Sequence, residues 1–480
     1  MVFSSIVFLF YFLPIILLLY YVVPRKGKNG VLFLCSLVFY AWGEPVYLFL
    51  MLFSIVCNFS LGLLLDRSIK KAENGKGYKE PKMWLFFAVA LNIGLLAFFK
   101  YADFLIQNSN LLLNTQIKPL LLPLPLGISF YTFQAMSYLI DLYRRKVNVQ
   151  KNFIDFGTYV ALFPQLIAGP IVRFSDIAFQ LRERKESWDL FANGVVRFMI
   201  GLSKKVLLAN NAGIVFDQVA QMQGSSASVL SVWIGILMFT FQIYFDFSGY
   251  SDTAIGLGKM FGFSFPENFD HPYTSKSITE FWRRWHMTLG TWFREYVYIP
   301  LGGNRNGLKR QIFNLFVVWT LTGIWHGASW NFVIWGLYFG VLLVLEKLFL
   351  LNWLKKMPLI IQHGITFFLV MMSWVIFSFD SIEQISWYFQ SLFAFNGNIA
   401  IDSQGQYLLK SNFILLIVMS FGVTTLPQKM TFKIRAFFKG KGYRLIFYCL
   451  LQTIIIIALF FLVIAYLVSS SYNPFLYFRF

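Results

Sequence analysis

His326 stands inside TLTGIWHGASWNFVIWGLYFG (Thr320–Gly340), a stretch without charge and apolar enough for a bilayer. A neutral imidazole can take a proton from a hydroxyl near neutral pH, and such a base contributes about 10²–10⁴-fold to a transfer reaction. An ionisable side chain at membrane depth is a functional-site candidate. The plainer alternative is a histidine that hydrogen-bonds a neighbouring helix. The second place for chemistry is SITEFWRRWHMTLGTWFREYVY (Ser277–Tyr298), where His286 sits among Arg283, Arg284 and Arg294. Those cations could attract an anionic donor such as a coenzyme A phosphate, or serve only to seat a helix at a membrane surface.

Four histidines are present, and His271 and His363 have no context that suggests a role. No Ser-His-Asp spacing, phosphate loop, zinc motif or dinucleotide fingerprint occurs, so no metal is expected. Cys35, Cys57 and Cys449 lie apart in apolar segments and read as packing residues. Asp246 and Asp252 bracket DFSGYSD; they could line a polar cavity, cap helices or pair with a nearby cation.

These residues need elements to hold them. From Gln311 to Leu351 the only charges are Glu346 and Lys347, a run too long for one straight span of about 30 Å. Two helices meeting around Gly323–Asn331 are expected, because Gly323, Gly327, Ser329 and Asn331 gather there. Ser277 and Glu280 form a capping box, which predicts a helix start. Phe281, Trp285, Leu289, Trp292, Phe293 and Tyr296 then recur at helical spacing as one aromatic face, broken at Pro300-Leu-Gly-Gly. Upstream, Val2–Val23 is expected to be a full span, Phe163–Arg173 a re-entrant turn, Phe174–Trp188 a surface segment, and Val229–Tyr250 a span.

The chain has 480 residues, 58% hydrophobic and only 13% charged, with apolar runs along its whole length. That composition predicts an all-α polytopic integral membrane protein, as one domain over residues 1–480. The net charge of +19 does not indicate nucleic acid. The basic residues crowd into alternate short loops, such as Arg25–Lys28, Arg67–Lys82 and Arg144–Lys151, while the intervening loops are nearly free of them. This asymmetry predicts cytoplasmic basic loops, with both termini extracytoplasmic.

Four blocks carry a resemblance along nearly the whole chain, in order: Asp246–Phe263 (DFSGYSDTAIGLGKMFGF), Phe281–Arg305 (FWRRWHMTLGTWFREYVYIPLGGNR), Thr322–Tyr338 (TGIWHGASWNFVIWGLY) and Tyr472–Phe480 (YNPFLYFRF). The sequence resembles membrane-bound O-acyltransferases, in the AlgI-like branch of alginate and peptidoglycan O-acetyltransferases. The branch that transfers D-alanine to teichoic acid shares the WRRWH-like core; the YIPLGGNR continuation favours the AlgI-like one. The resemblance implies a ring of tilted helices around a funnel, with re-entrant and interfacial helices and a catalytic core of about residues 120–345. His326 would match the family's essential intramembrane histidine and His286 its second histidine. Trp325, Asn331, Trp285, Arg283, Arg284, Arg294 and Asp246 would serve substrate binding. The implied donor is acetyl-CoA or another acyl thioester from the cytoplasm, with no bound cofactor. An extracytoplasmic SGNH-type partner would receive the acetyl group at a bacterial cytoplasmic membrane. The rival readings are a teichoic acid D-alanyltransferase and a non-enzymatic transporter or flippase. The latter would need inverted repeats, which are not visible.

Overall fold

The computed structural model describes residues 1–222, 227–438, 442–469, 472 and 476. Among these residues every regular element is helical. Six helices are long and apolar enough to cross a membrane: Tyr47–Glu73, Glu80–Leu113, Val229–Met260, Trp330–Leu354, Leu359–Ser378 and Gly442–Ser469. A pair bent by 69°, Phe413–Gly422 with Leu426–Phe438, would make a seventh. Their outer faces are frankly apolar, with Phe86 75% and Phe49 73% exposed. Apolar rings that face outward in such numbers belong against lipid.

Two compact units gather separate stretches of the chain. The first comprises Met1–Phe198, Thr253–Glu267 and Arg294–Tyr296; the second comprises Met199–Asp252, Asn268–Phe293 and Val297–Phe480.

In the first unit the expected opening span is shorter than the sequence suggested: the helix runs over Phe8–Val22 rather than Val2–Val23. Tyr47–Glu73 and Glu80–Leu113 pair through Asn58 and Asn92, whose amides exchange hydrogen bonds of 3.2 and 2.7 Å. Amides at membrane depth have no water to turn to and find each other instead. Ile128–Tyr143 is buried on nearly every face. Where a re-entrant turn was expected, Phe163–Leu166 is a single buried helical turn that leads, without regular structure, to Arg173. Phe174–Glu183 follows as a short helix.

In the second unit the long helix Val229–Met260 begins. It does not stop at Tyr250 as expected but carries the polar run Asp246–Asp252 within the helix, buried. The acids are tolerated there because a π-turn, Lys204–Ala209, brings two lysines to them. Lys205 lies 2.7 Å from Asp246 and Lys204 lies 2.7 Å from Asp252.

Gly307–His326 and Trp330–Leu345 form the predicted helical hairpin, parted by Gly327–Ser329. The two backbones nearly touch. A Cβ on Gly323 would fall 2.3 Å from the Phe332 carbonyl oxygen, and one on Gly336 would fall 2.4 Å from that of Trp319. Small residues permit this approach where no hydrophobic force drives helices together. Gly336→Val is therefore expected to push the hairpin apart and cost about 1–3 kcal/mol or more. A thermal melt in detergent checks this, with an unchanged midpoint counting against so close a contact.

Candidate active site

The hairpin places His326 at the last residue of its first helix, 6% exposed. Three rings meet the imidazole edge to face: Trp335 at 4.9 Å, Trp325 at 5.1 Å and Phe377 at 5.4 Å. Trp374 extends this wall, 5.6 Å from Phe377 and 6.2 Å from Trp335. The helix break that the small residues foretold thus delivers the histidine into an aromatic box.

The segment Ser277–Tyr298 departs from the expected continuous helix. Ser277 caps Ile278–Arg284 by accepting from the Glu280 backbone N–H at 3.1 Å, but the Glu280 carboxylate accepts from Lys276 rather than from Ser277. The helix ends at Arg284, and a second short helix runs over Met287–Phe293. Between them His286 takes a left-handed backbone, φ 43°. Such a conformation in a residue with a side chain is strained and must be held by its surroundings.

Asn268 holds it. Its backbone carbonyl accepts from Met287 N–H at 2.9 Å, while its Oδ1 accepts from Thr288 N–H at 3.2 Å and Thr288 Oγ1 at 2.9 Å. A backbone N–H can only donate, so the amide atom facing it is oxygen. The His286 Nδ1, 3.1 Å from that same oxygen, must then carry the proton. This leaves His286 Nε2 as a lone-pair acceptor, buried and without a protein partner.

Burial pushes the His286 imidazole down to about 3, well below its ordinary value of 6.5. Between those values the unfolded chain binds the proton that the folded chain refuses. Stability is therefore complete above about pH 6.5 and declines as pH falls toward 3, by up to about 1.4 kcal/mol per pH unit. The melting temperature is expected to drop more steeply on acidification for the native protein than for His286→Gln. Parallel curves would show the ring to be less enclosed.

The two histidines share one neighbour, since Trp325 lies 6.0 Å from His286 and 5.1 Å from His326 between ring centres. Around them sit buried polar atoms without protein partners: both amide atoms of Asn331, the indole nitrogens of Trp282 and Trp335, and Asn268 Nδ2. Each such group left unmet costs about 1–3 kcal/mol. A concentration of them marks a place built to receive a polar guest.

The other expected residues are distributed more widely. Trp285 is buried in the aromatic stack, 5.5 Å from Phe281 and 5.1 Å from Trp374. Arg284 is engaged with Glu280 at 2.6 Å and Thr274 at 3.1 Å, whereas Arg283 is exposed. Arg294 is counted in the first unit and pairs with Glu295 at 3.0 Å. The Asp246 carboxylate is taken up by Lys205 and by the Leu476 N–H at 2.9 Å. Of the closing block Tyr472–Phe480, all but Tyr472 and Leu476 lies outside the described residues.

Asn268 and Glu346 were not foreseen. Asn268, within Glu267-Asn-Phe-Asp-His-Pro, has the composition of a plain turn. Glu346 is buried at the end of the hairpin, and its carboxylate accepts from Ile278 N–H at 2.6 Å, Thr279 N–H at 2.8 Å and Thr279 Oγ1 at 2.7 Å. It caps the helix that leads to His286, a favourable place for a carboxylate. A glutamate in a span whose one other charge is the adjacent Lys347 was the available signal.

A chain with six helices of bilayer length is an integral membrane protein. A family model described as MBOAT, the membrane-bound O-acyltransferase family, matches residues 145–383. The chain is 38% identical to a probable alginate O-acetylase AlgI of Pseudomonas putida over the whole of both chains. Identity is 43% to the same-named protein of Pseudomonas syringae, over 82% of this chain and 76% of that one. It is 36% to a peptidoglycan O-acetyltransferase of Helicobacter pylori, over 83% of this chain and 80% of the relative. The chain belongs to the membrane-bound O-acyltransferase family, and it is a multi-pass membrane O-acetyltransferase.

Proposed function

We propose that this chain takes acetyl from a cytoplasmic thioester, such as acetyl-CoA, and passes it across a bacterial cytoplasmic membrane toward an extracytoplasmic polysaccharide. Alginate-type polymers and peptidoglycan are the acceptor classes suggested by the relatives' names. The observation that carries this reading is the buried pair of histidines on either side of Trp325, set among polar atoms with no partner of their own.

His326 acts as general base. It draws the proton from an acceptor hydroxyl as the oxygen attacks the thioester carbon, and the proton passes to the departing sulfur as the C–S bond breaks. His286, with Nδ1 protonated, offers Nε2 to position the acceptor or donor. The Asn331 amide, in the first turn of Trp330–Leu345, is suited to the oxyanion, since that helix end also carries positive dipole. Trp325 and Trp285 shape the walls, and exposed Arg283 attracts anionic donors by charge. The basic loops face the cytoplasm and both termini lie outside, and an SGNH-type protein there completes the transfer.

Purified protein in liposomes, given radiolabelled acetyl thioester on the basic-loop side, is expected to become labelled or to label an acceptor hydroxyl. Absence of label, with D-alanyl thioester accepted instead, would transfer the assignment to the teichoic acid reaction.

A further inference from the structure

A second set of buried polar groups without partners lies within the first unit; apart from single atoms of Asp141 and Arg184, it belongs to uncharged side chains. Tyr40 and Tyr131 leave their hydroxyls unpaired, Gln134 leaves both side-chain amide atoms, and Gln165 leaves its Oε1. Tyr40 and Tyr131 are 2% exposed, and Gln134 and Gln165 are fully buried.

These residues come from three elements that meet. Ser36, one turn before Tyr40 on Lys28–Ala41, accepts from the Phe163 N–H that starts the re-entrant turn. That turn carries Gln165, whose Nε2 donates to the Tyr159 carbonyl at 2.7 Å, and the Tyr159 hydroxyl donates to the Gln134 carbonyl at 3.0 Å. Tyr131 and Gln134, three residues apart on Ile128–Tyr143, share a helix face. The Tyr131 and Tyr40 hydroxyls lie within electrostatic reach of one another. Gly127, just before that helix, is packed against the re-entrant turn so closely that a Cβ would fall 2.6 Å from the Leu166 carbonyl oxygen.

The donor and acceptor inventory restricts the guest. Two phenols can each give or take a hydrogen bond, Gln134 can do both, and Gln165 has only an acceptor to spare. The nearest opposite charges, the Glu44 carboxylate beside Tyr40 and the Met1 ammonium, interact with each other, so a charged guest gains no unpaired counter-ion there. Groups that both donate and accept, which are hydroxyls, satisfy the whole set. The irregular segment 115–123, exposed throughout, leads into the helix that carries Tyr131 and Gln134. The charge asymmetry of the loops places that segment on the extracytoplasmic side.

We propose that Tyr40, Tyr131, Gln134 and Gln165 form a neutral binding site for a polyhydroxyl group, a sugar or a glycerol headgroup, held by hydrogen bonds alone. This site is independent of the histidine pair.

Two probes separate the sources. A neutral trisaccharide is followed by saturation-transfer NMR, and a monoacylglycerol by native mass spectrometry, both on the full-length protein in nanodiscs. At least one is expected to bind, the trisaccharide marking a saccharide site and the monoacylglycerol a lipid site. Tyr131→Phe, Tyr40→Phe and Gln134→Leu should each weaken that binding about tenfold, the loss of one hydrogen bond. Their melting temperatures without probe should equal or exceed the native one, because each removes an unmet buried group. His326→Ala should bind as the native protein does, so a failure of the catalytic reading leaves this result intact. Neither probe binding would overturn the site, water then being its occupant. Binding indifferent to all three substitutions, or melting temperatures lowered in both phenylalanine variants, would overturn it equally.

Discussion

His326→Ala is expected to reduce acetyl transfer by about 10²–10⁴-fold while the protein still accumulates in the membrane. The size follows from the role. A positioned base removes the hydroxyl proton as the new bond forms, and nothing else in the aromatic box of Trp325, Trp335 and Phe377 could take it. Alanine also leaves a void among those rings, so a lost activity could be charged to loosened packing. His326→Gln answers that objection, since it fills much of the space and still hydrogen-bonds but is not a base at neutral pH. Both variants should show a collapse in kcat with KM altered far less, the pattern of an interaction made in the transition state. The readout is ester content of the acceptor polymer at matched protein abundance, together with label transfer in liposomes. Full activity in the glutamine variant would remove His326 from the chemistry.

The two histidines differ in how far the sequence disclosed their settings. The break at His326 could be read, because the chain there must leave the helix and gathers Gly323, Gly327, Ser329 and Asn331 to do so. The break at His286 could not. Phe281, Trp285, Leu289 and Trp292 keep helical spacing straight through it, no glycine or proline marks it, and every one of those aromatic positions is buried as the pattern requires. What stops the helix is a tertiary contact, with Asn268 claiming Met287, Thr288 and His286 from eighteen residues upstream. The start of that helix is likewise settled from afar by Glu346. Local periodicity reports which face is buried; it does not report that a distant amide outbids the next helical hydrogen bond. The same limit explains Val229–Met260, where Asp246–Asp252 looked like the end of a span. Lysines 204 and 205, supplied by another element, help make those acids tolerable inside a helix.

Asn268 is accordingly where the second large effect is expected. Asn268→Leu removes the acceptor for His286 Nδ1–H and for the Thr288 N–H, so the ring is free to turn or to protonate on Nε2 instead. Transfer should fall about 10–10²-fold, the range seen when an orienting partner of an imidazole is lost. Damage to the strained turn alone would give a similar loss, so the informative variant is Asn268→Asp. Aspartate keeps the accepting oxygen and hence the tautomer, but it adds a negative charge 3.1 Å from the ring. That charge favours the imidazolium and raises the His286 pKa from about 3. Below the raised value Nε2 is protonated and can no longer accept. The Asp variant should therefore work well at alkaline pH and lose activity as pH falls, in a range where the native protein, its His286 already neutral, shows no such limb. The pH profile of kcat/KM for native, Leu and Asp proteins decides the matter. If the Asp profile simply parallels the native one at reduced height, Asn268 braces the backbone and His286 Nε2 takes no part in the reaction.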